Sequence, residues 1–268
     1  MDIKKVLYIS QEIEPYLPSS PMADYGRLLP QAIMEHGTEV RTFMPKYGAI
    51  NERRNSLHEV IRLSGINIDI NDTDYPLIIK VATLQPTRMQ VYFIDSDEFF
   101  TRTSGGALET VTDSANNDER AIFFVRGTLE TVKKLRWNAD VIQCTGWMSA
   151  LTPMYLKTMF ADDPAFRSAK VVYALFNDDF VGELNPQIIE KLVHQGFSAD
   201  DLKVLIDGDG KVDYVKLNKL AIDYADAICQ ATEQVNPEVL EYAKASGKPF
   251  LPYPGDDYLA YDTFYKSL

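Results

Sequence analysis

Val6-Leu7-Tyr8-Ile9 is an unbroken apolar run between Lys5 and Ser10. Continuous apolarity over so short a span predicts a strand covered on both faces, as in a parallel sheet. Pro15, Pro18 and Pro21 follow and are expected to hold the next stretch out of regular structure. An amphipathic segment comes next. Leu28, Leu29, Ala32 and Ile33 form its apolar stripe, Asp24 is its N-cap or first-turn acid, and Gly37 is its stop. Glu39 to Pro45 is a second strand. Val6 to Pro45 is therefore a βαβ crossover, and open α/β sheets place ligands at the strand-to-loop junction of such units.

Further along, Ile66 to Asp69, Tyr75 to Thr83 and Met89 to Ile94 have strand character, the last two as a hairpin around Leu84-Gln85-Pro86-Thr87. Phe99 to Thr112 is expected to be a loop. Its Gly105-Gly106 pair is a turn, since the lysine and following helix of phosphate loops are missing. Asp118 to Lys134 is helical, with Ile122, Val125, Leu129 and Val132 on one face and Phe123 widening it. Strands at Val141 to Cys144, Val171 to Leu175 and Ala227 to Ala231 then alternate with helical segments at Ser149 to Met159, Leu184 to Gly196, Val215 to Tyr224 and Pro237 to Ala245. The expected fold class is α/β: a Rossmann-like, doubly wound, mainly parallel sheet with an added β-hairpin, forming one domain over residues 1–268.

Charge and chemistry narrow the function. A net charge of −12 argues against a nucleic-acid or anionic-membrane partner. Cys144 and Cys229 make no disulfide framework, and His36, His58 and His194 are too scattered for a metal site. Around Ile206 to Asp213 a calcium loop fails in both registers. Gly210 at the sixth position puts Leu205 first and Lys216 twelfth, and Asp207 at the first puts Val212 at the glycine position. No cofactor and no metal are expected. MDIKK leads into a strand rather than a signal segment, and no apolar stretch approaches ~18 residues, so a cytoplasmic location is expected.

The chain resembles the glycogen and starch synthases, glucosyltransferases that extend α-1,4-glucan from ADP-glucose. The family opens with a strand and then a pattern close to S-E-x-x-P-x-x-K-T-G-G-L-A-D-V-x-x-x-L-P. Glu12, Pro15, Ala23, Asp24, Leu29 and Pro30 fall in its register, while the family lysine is Pro18, its threonine Ser19 and its glycines Ser20 and Pro21. Pro45, Tyr47 and Ile50 resemble the family's P-x-Y-x-x-I. Asp140, Val141, Trp147 and Leu151 match P-D-V-V-H-A-H-D-W-H-A-G-L, with Gln143, Thr145, Gly146 and Met148 replacing its polar positions. Asn177 and Gly182 match H-N-x-x-Y-Q-G, with Phe176 in place of histidine. Gly210 to Tyr214 and Tyr224-Ala225-Asp226 resemble two further family stretches.

The resemblance implies the acceptor-side, N-terminal half of a two-domain GT-B glycosyltransferase, with the C-terminal donor-binding domain absent. It implies substrate-binding positions at Glu12, Ser19, Ser20, Asp24, Trp147 and Asn177. It implies no intact catalytic residue, because the chemistry at Pro18, Met148 and Phe176 is gone. Glucosyl transfer needs cations or backbone N–H groups on the departing diphosphate, and proline has no N–H. Tyr16, Ser19 and Ser20 either bond a glucan or are simply solvated loop, with loop favoured, and Trp147 either packs or stacks on a sugar. Two functions follow from the resemblance. One is a non-catalytic relative that binds glucan, nucleotide or a protein partner. The other is an active ADP-glucose glucosyltransferase, alone or completed by a separate C-terminal-domain chain. The expected partners are α-glucan or ADP-glucose, with either a homo-oligomer contact or the tyrosine-rich tail, Tyr253 to Tyr265, covering apolar surface left by the second domain.

Overall fold

A computed structural model describes residues 2–101 and 115–268. The strands are β1 Lys5–Ser10, β2 Glu39–Pro45, β3 His58–Glu59, β4 Ile66–Ile70, β5 Thr73–Leu84, β6 Met89–Asp95, β7 Val141–Thr145, β8 Lys170–Leu175, β9 Ala227–Gln230 and β10 Phe250–Leu251. They run in the order β10-β9-β8-β7-β1-β2-β6-β5-β3, with β4 beside β5. From β10 to β6 every neighbouring pair is parallel, and β5 pairs antiparallel with β6, β3 and β4. The order reverses between β1 and β7, which makes their carboxyl ends the topological switch point. The mixed, doubly wound sheet with its added hairpin is the expected architecture.

The helices are α1 Pro21–Glu35, α2 Asn117–Leu135, α3 Thr152–Lys157, α4 Ile188–His194, α5 Lys203–Ile206, α6 Tyr214–Tyr224, α7 Pro237–Ala245 and α8 Leu259–Ser267. Strand register puts Tyr8 and Gln143 on one face of the sheet. There they meet Tyr25 of α1 and Tyr265 of α8. Tyr173 points to the other face, where its hydroxyl donates to Asn218 of α6 at 2.8 Å. Both faces are covered, so β1, β7, β8 and β9 are almost wholly buried, as their apolar runs require.

Two aspartates at matched family positions serve the frame. Asp140 Oδ2 accepts the N–H groups of Lys4 and Lys5 at 2.8 and 2.9 Å. Asp226 Oδ2 accepts from Val171 N at 2.7 Å and from Lys157 Nζ at 2.6 Å. Each ties the start of one strand to its neighbour.

Several details differ from expectation. Pro21 does not keep the chain irregular; it occupies the first turn of α1, where its missing N–H costs nothing. The cap is Ser20, and Asp24 is a first-turn acid. The buried stripe of α1 is Met22, Tyr25, Leu29 and Ile33, while Leu28 is 41% exposed. Tyr16 is not a solvated loop hydroxyl: its ring packs edge-on against Phe93 with centroids 4.8 Å apart. The helical segment after β7 is shorter than its apolar content suggested, a single 3-10 turn at Trp147–Ser149 followed by α3. Leu184 to Gly196 is helical only over α4. Phe99 and Phe100 are buried in a helical turn, Asp97–Thr101, rather than in a loop. Gly105-Gly106 lies outside the described residues.

The tail is part of the fold. β10 adds a parallel strand beside β9, and α8 folds back onto the sheet with Tyr261 and Tyr265 buried. Tyr265 donates to Gln143 Oε1 at 3.0 Å. Tyr261 packs edge-on against Tyr25, which packs edge-on against Phe176, at 5.5 and 5.1 Å.

Candidate functional site

The carboxyl ends of β1, β7, β8 and β9 converge with the first turn of α1 around a cleft of about 630 Å³. Gln11 and Glu12 follow β1, Trp147 follows β7, Phe176 to Asp179 follow β8, and Thr232 to Gln234 follow β9. The volume is that of a small-molecule site. Its ionisable lining is Glu12, Asp178, Asp179 and Glu233, with no lysine or arginine among the lining residues.

Glu12 is buried, and its Oε2 accepts from Ser20 Oγ at 2.7 Å. Ser20 Oγ in turn accepts from Ala23 N at 3.0 Å, so one hydroxyl caps α1 and fixes the carboxylate. Burial raises the Glu12 pKa above the ordinary carboxylate value, and the Ser20 bond opposes the shift. Gly26 makes this approach possible. A Cβ there would stand 2.3 Å from the Glu12 carbonyl oxygen.

Asp178 also lines the cleft. Its Oδ1 accepts from Tyr214 Oη at 2.6 Å, and its Oδ2 accepts from Trp147 N at 2.9 Å. Burial pushes its pKa up to about 6, reinforced by the charges of Asp179 and Glu12 and opposed by the two hydrogen bonds. The folded chain therefore binds this proton more tightly than the unfolded chain. Its contribution favours folding as pH falls through about 6 and is lost above. The stability of Asp178→Asn relative to the parent is accordingly expected to rise between about pH 4 and pH 6 and to level off above. Denaturant titrations across that range check this, and a difference that does not change with pH contradicts it.

The expected site residues divide. Glu12, Ser20, Trp147 and Asn177 line the cleft together. Trp147 is 1% exposed and packs edge-on against Phe180 at 5.1 Å, so it supports the wall by packing. Asn177 is exposed, and its N–H donates to Thr232 Oγ1 at 3.1 Å. Ser19 and Asp24 bond each other at 3.0 and 3.1 Å and are not among the cleft-lining residues. Asp24 lines a smaller neighbouring hollow.

The positions that depart from the family pattern are occupied structurally. Pro18 is exposed and is not among the lining residues. Met148 is fully buried, with its N–H donating to Gln11 Oε1 at 3.0 Å and its sulfur accepting from Tyr47 Oη at 3.7 Å. Phe176 lines the cleft and packs on Tyr25. Gly146 has φ +83°, and a Cβ there would lie 2.7 Å from Gln11 Oε1, so an aspartate does not fit this backbone. Gln143 is buried and donates to Tyr25 Oη and Cys229 Sγ at 3.1 and 3.3 Å.

Gln11, Asp178, Asp179 and Glu233 were missed as candidates. Their signal was position: each lies within four residues of the end of a buried strand. Lys216 explains the failed calcium loop. Its ammonium donates to the Asp207 carbonyl at 2.6 Å and lies 3.3 Å from Asp209 Oδ1. Among the described residues no group of three or more His, Cys, Asp or Glu is placed to hold a metal ion. None of their helices is long and apolar enough to cross a membrane.

Comparison with known proteins decides the ancestry. The family model described as the starch synthase catalytic domain matches residues 5–248. The chain belongs to the glycogen and starch synthase family. It is 38% identical over 196 residues to a glycogen synthase of Pelodictyon phaeoclathratiforme, covering 73% of this chain and 40% of that protein. It is 35% identical over 231 residues to a glycogen synthase of Chlorobium phaeobacteroides, covering 84% and 47%. The chain thus spans less than half the length of these relatives. A solved structure, the catalytic domain of starch synthase IV from Arabidopsis thaliana bound to ADP and acarbose, superposes with a TM-score of 0.76. Its sequence identity is 17%, with coverage of 94% of this chain and 51% of that one. The shared fold is that of a GT-B glycosyltransferase catalytic domain.

Proposed function

We propose that residues 1–268 act as one acceptor-side domain that binds α-glucan without catalysing transfer. The observation that carries this reading is the charge of the cleft. Glu12, Asp178, Asp179 and Glu233 line it, and among the described residues no lysine or arginine does. A departing diphosphate needs preorganised positive charge or free backbone N–H groups. Pro18 in the turn before α1 and Pro21 in its first turn have no N–H, and the Met148 N–H is already given to Gln11. Neutral glucan hydroxyls, by contrast, donate to carboxylates in strong charge-assisted bonds. Losing one stabilising donor typically costs about 10²–10³ in rate. The second reading is an active ADP-glucose glucosyltransferase completed by a donor-binding domain. It is favoured by Glu12, Asp24 and Asn177 standing in family register. A transfer assay separates the two. The purified chain is expected to incorporate no glucose from ADP-glucose into glycogen, and incorporation above background overturns the non-catalytic reading.

A further inference from the structure

We infer that the cleft continues over the first turn of α1 as a second lobe built by the tail, and that the two lobes together hold one neutral oligosaccharide of several sugar units. This rests on the glucan reading above and extends it to residues outside the strand ends.

The second hollow measures about 330 Å³ and shares Pro21, Thr232 and Glu233 with the first. The two hollows therefore adjoin, and the inferred ligand crosses from one to the other past Glu233. The far side of the second lobe is Tyr253, Gly255, Asp256 and Tyr258. These residues reach α1 because β10 is paired to β9 and α8 is pinned by Tyr261 and Tyr265, while Gly255 turns the chain between them at φ +65°. Tyr258 is half-buried and packs on the core, so its ring is fixed before any ligand arrives. Tyr253 is 40% exposed and offers a free ring face.

The chemistry of both lobes is alike. Asp24, Glu233 and Asp256 line the second, again with no lysine or arginine among the lining residues. Negative charge along the whole length disfavours phosphorylated ligands. A polyol with apolar C–H faces suits aromatic walls separated by acceptors, because the rings cover the apolar faces while the carboxylates accept from the hydroxyls. A single sugar fills one lobe only. The arrangement therefore selects for length, with Tyr253 acting on the distal units and the Glu12–Asp178 wall on the proximal ones.

The test is calorimetric titration of the parent chain and Tyr253→Ala with maltotriose and maltoheptaose. The parent is expected to bind maltoheptaose more tightly than maltotriose. Tyr253→Ala is expected to weaken maltoheptaose binding roughly tenfold and to leave maltotriose unchanged. Tyr253 is exposed, so the variant retains the fold. Equal affinities for the two oligomers, or a Tyr253→Ala variant that binds maltoheptaose as the parent does, overturn the second lobe and leave glucan binding standing. Absence of heat with either oligomer overturns both.

Discussion

Gly26→Ala is expected to destabilise the chain by about 3 kcal/mol, the upper end of the ordinary cost of overpacking. On helix propensity alone the change should stabilise by about 1 kcal/mol, since Gly26 lies within α1. Sterics decide the sign. The added Cβ would stand 2.3 Å from the Glu12 carbonyl oxygen and 3.2 Å from Ile13 Cγ1. The nearest atom is backbone and cannot swing away, so α1 and the Gln11–Glu14 turn must separate. That turn is held to α1 by Glu14 N donating to the Ala23 carbonyl at 3.0 Å and by the Glu14–Arg27 ion pair. The same displacement moves Glu12 from Ser20, so ligand affinity should fall along with stability. Urea titration reads the first effect, and a midpoint at or above that of the parent contradicts this packing.

Tyr265→Ala is expected to cost about 4 kcal/mol, within the range for truncating a large buried aromatic side chain. Tyr265 is fully buried, and its hydroxyl satisfies Gln143 Oε1 at the centre of the sheet. Truncation opens a cavity beneath α8 and strands that oxygen. Tyr265→Phe keeps the ring and removes only the hydroxyl, and it should cost about 1–3 kcal/mol for the orphaned acceptor. A two-step loss in denaturant titrations, smaller for Phe and larger for Ala, is the expected result. If Tyr265→Ala costs less than about 1 kcal/mol, the tail is not part of the core.

Much of the frame was legible because parallel strands announce themselves as apolar runs. Glu39–Pro45 and Pro237–Ala245 have the bounds that their residues suggested. Leu28 misled because leucine at helical spacing looks inward, whereas α1 turns Tyr25, Leu29 and Ile33 inward and leaves Leu28 half-exposed. The tail was read only as one of two covers for apolar surface, because its pairing as β10 beside β9 and the burial of Tyr261 and Tyr265 exist only once the sheet has formed. At the site, single positions such as Glu12 and Asn177 were visible from register. Asp178 was not, because its raised pKa and its bonds to Trp147 and Tyr214 exist only after β7, β8 and α6 meet. The departures from the family pattern were visible as losses. Their structural use was not: Phe176 joins a ring series with Tyr25 and Tyr261, and Gln143 is completed by Tyr265. Scaffold and tail are fitted to one another at the positions where polar chemistry is missing.

The most direct test of this account is a calorimetric titration of the chain with maltoheptaose, with ADP-glucose in a parallel cell. An acidic cleft that takes neutral glucan predicts saturable heat with maltoheptaose and none with ADP-glucose. Saturable heat with ADP-glucose, or silence with maltoheptaose, contradicts it.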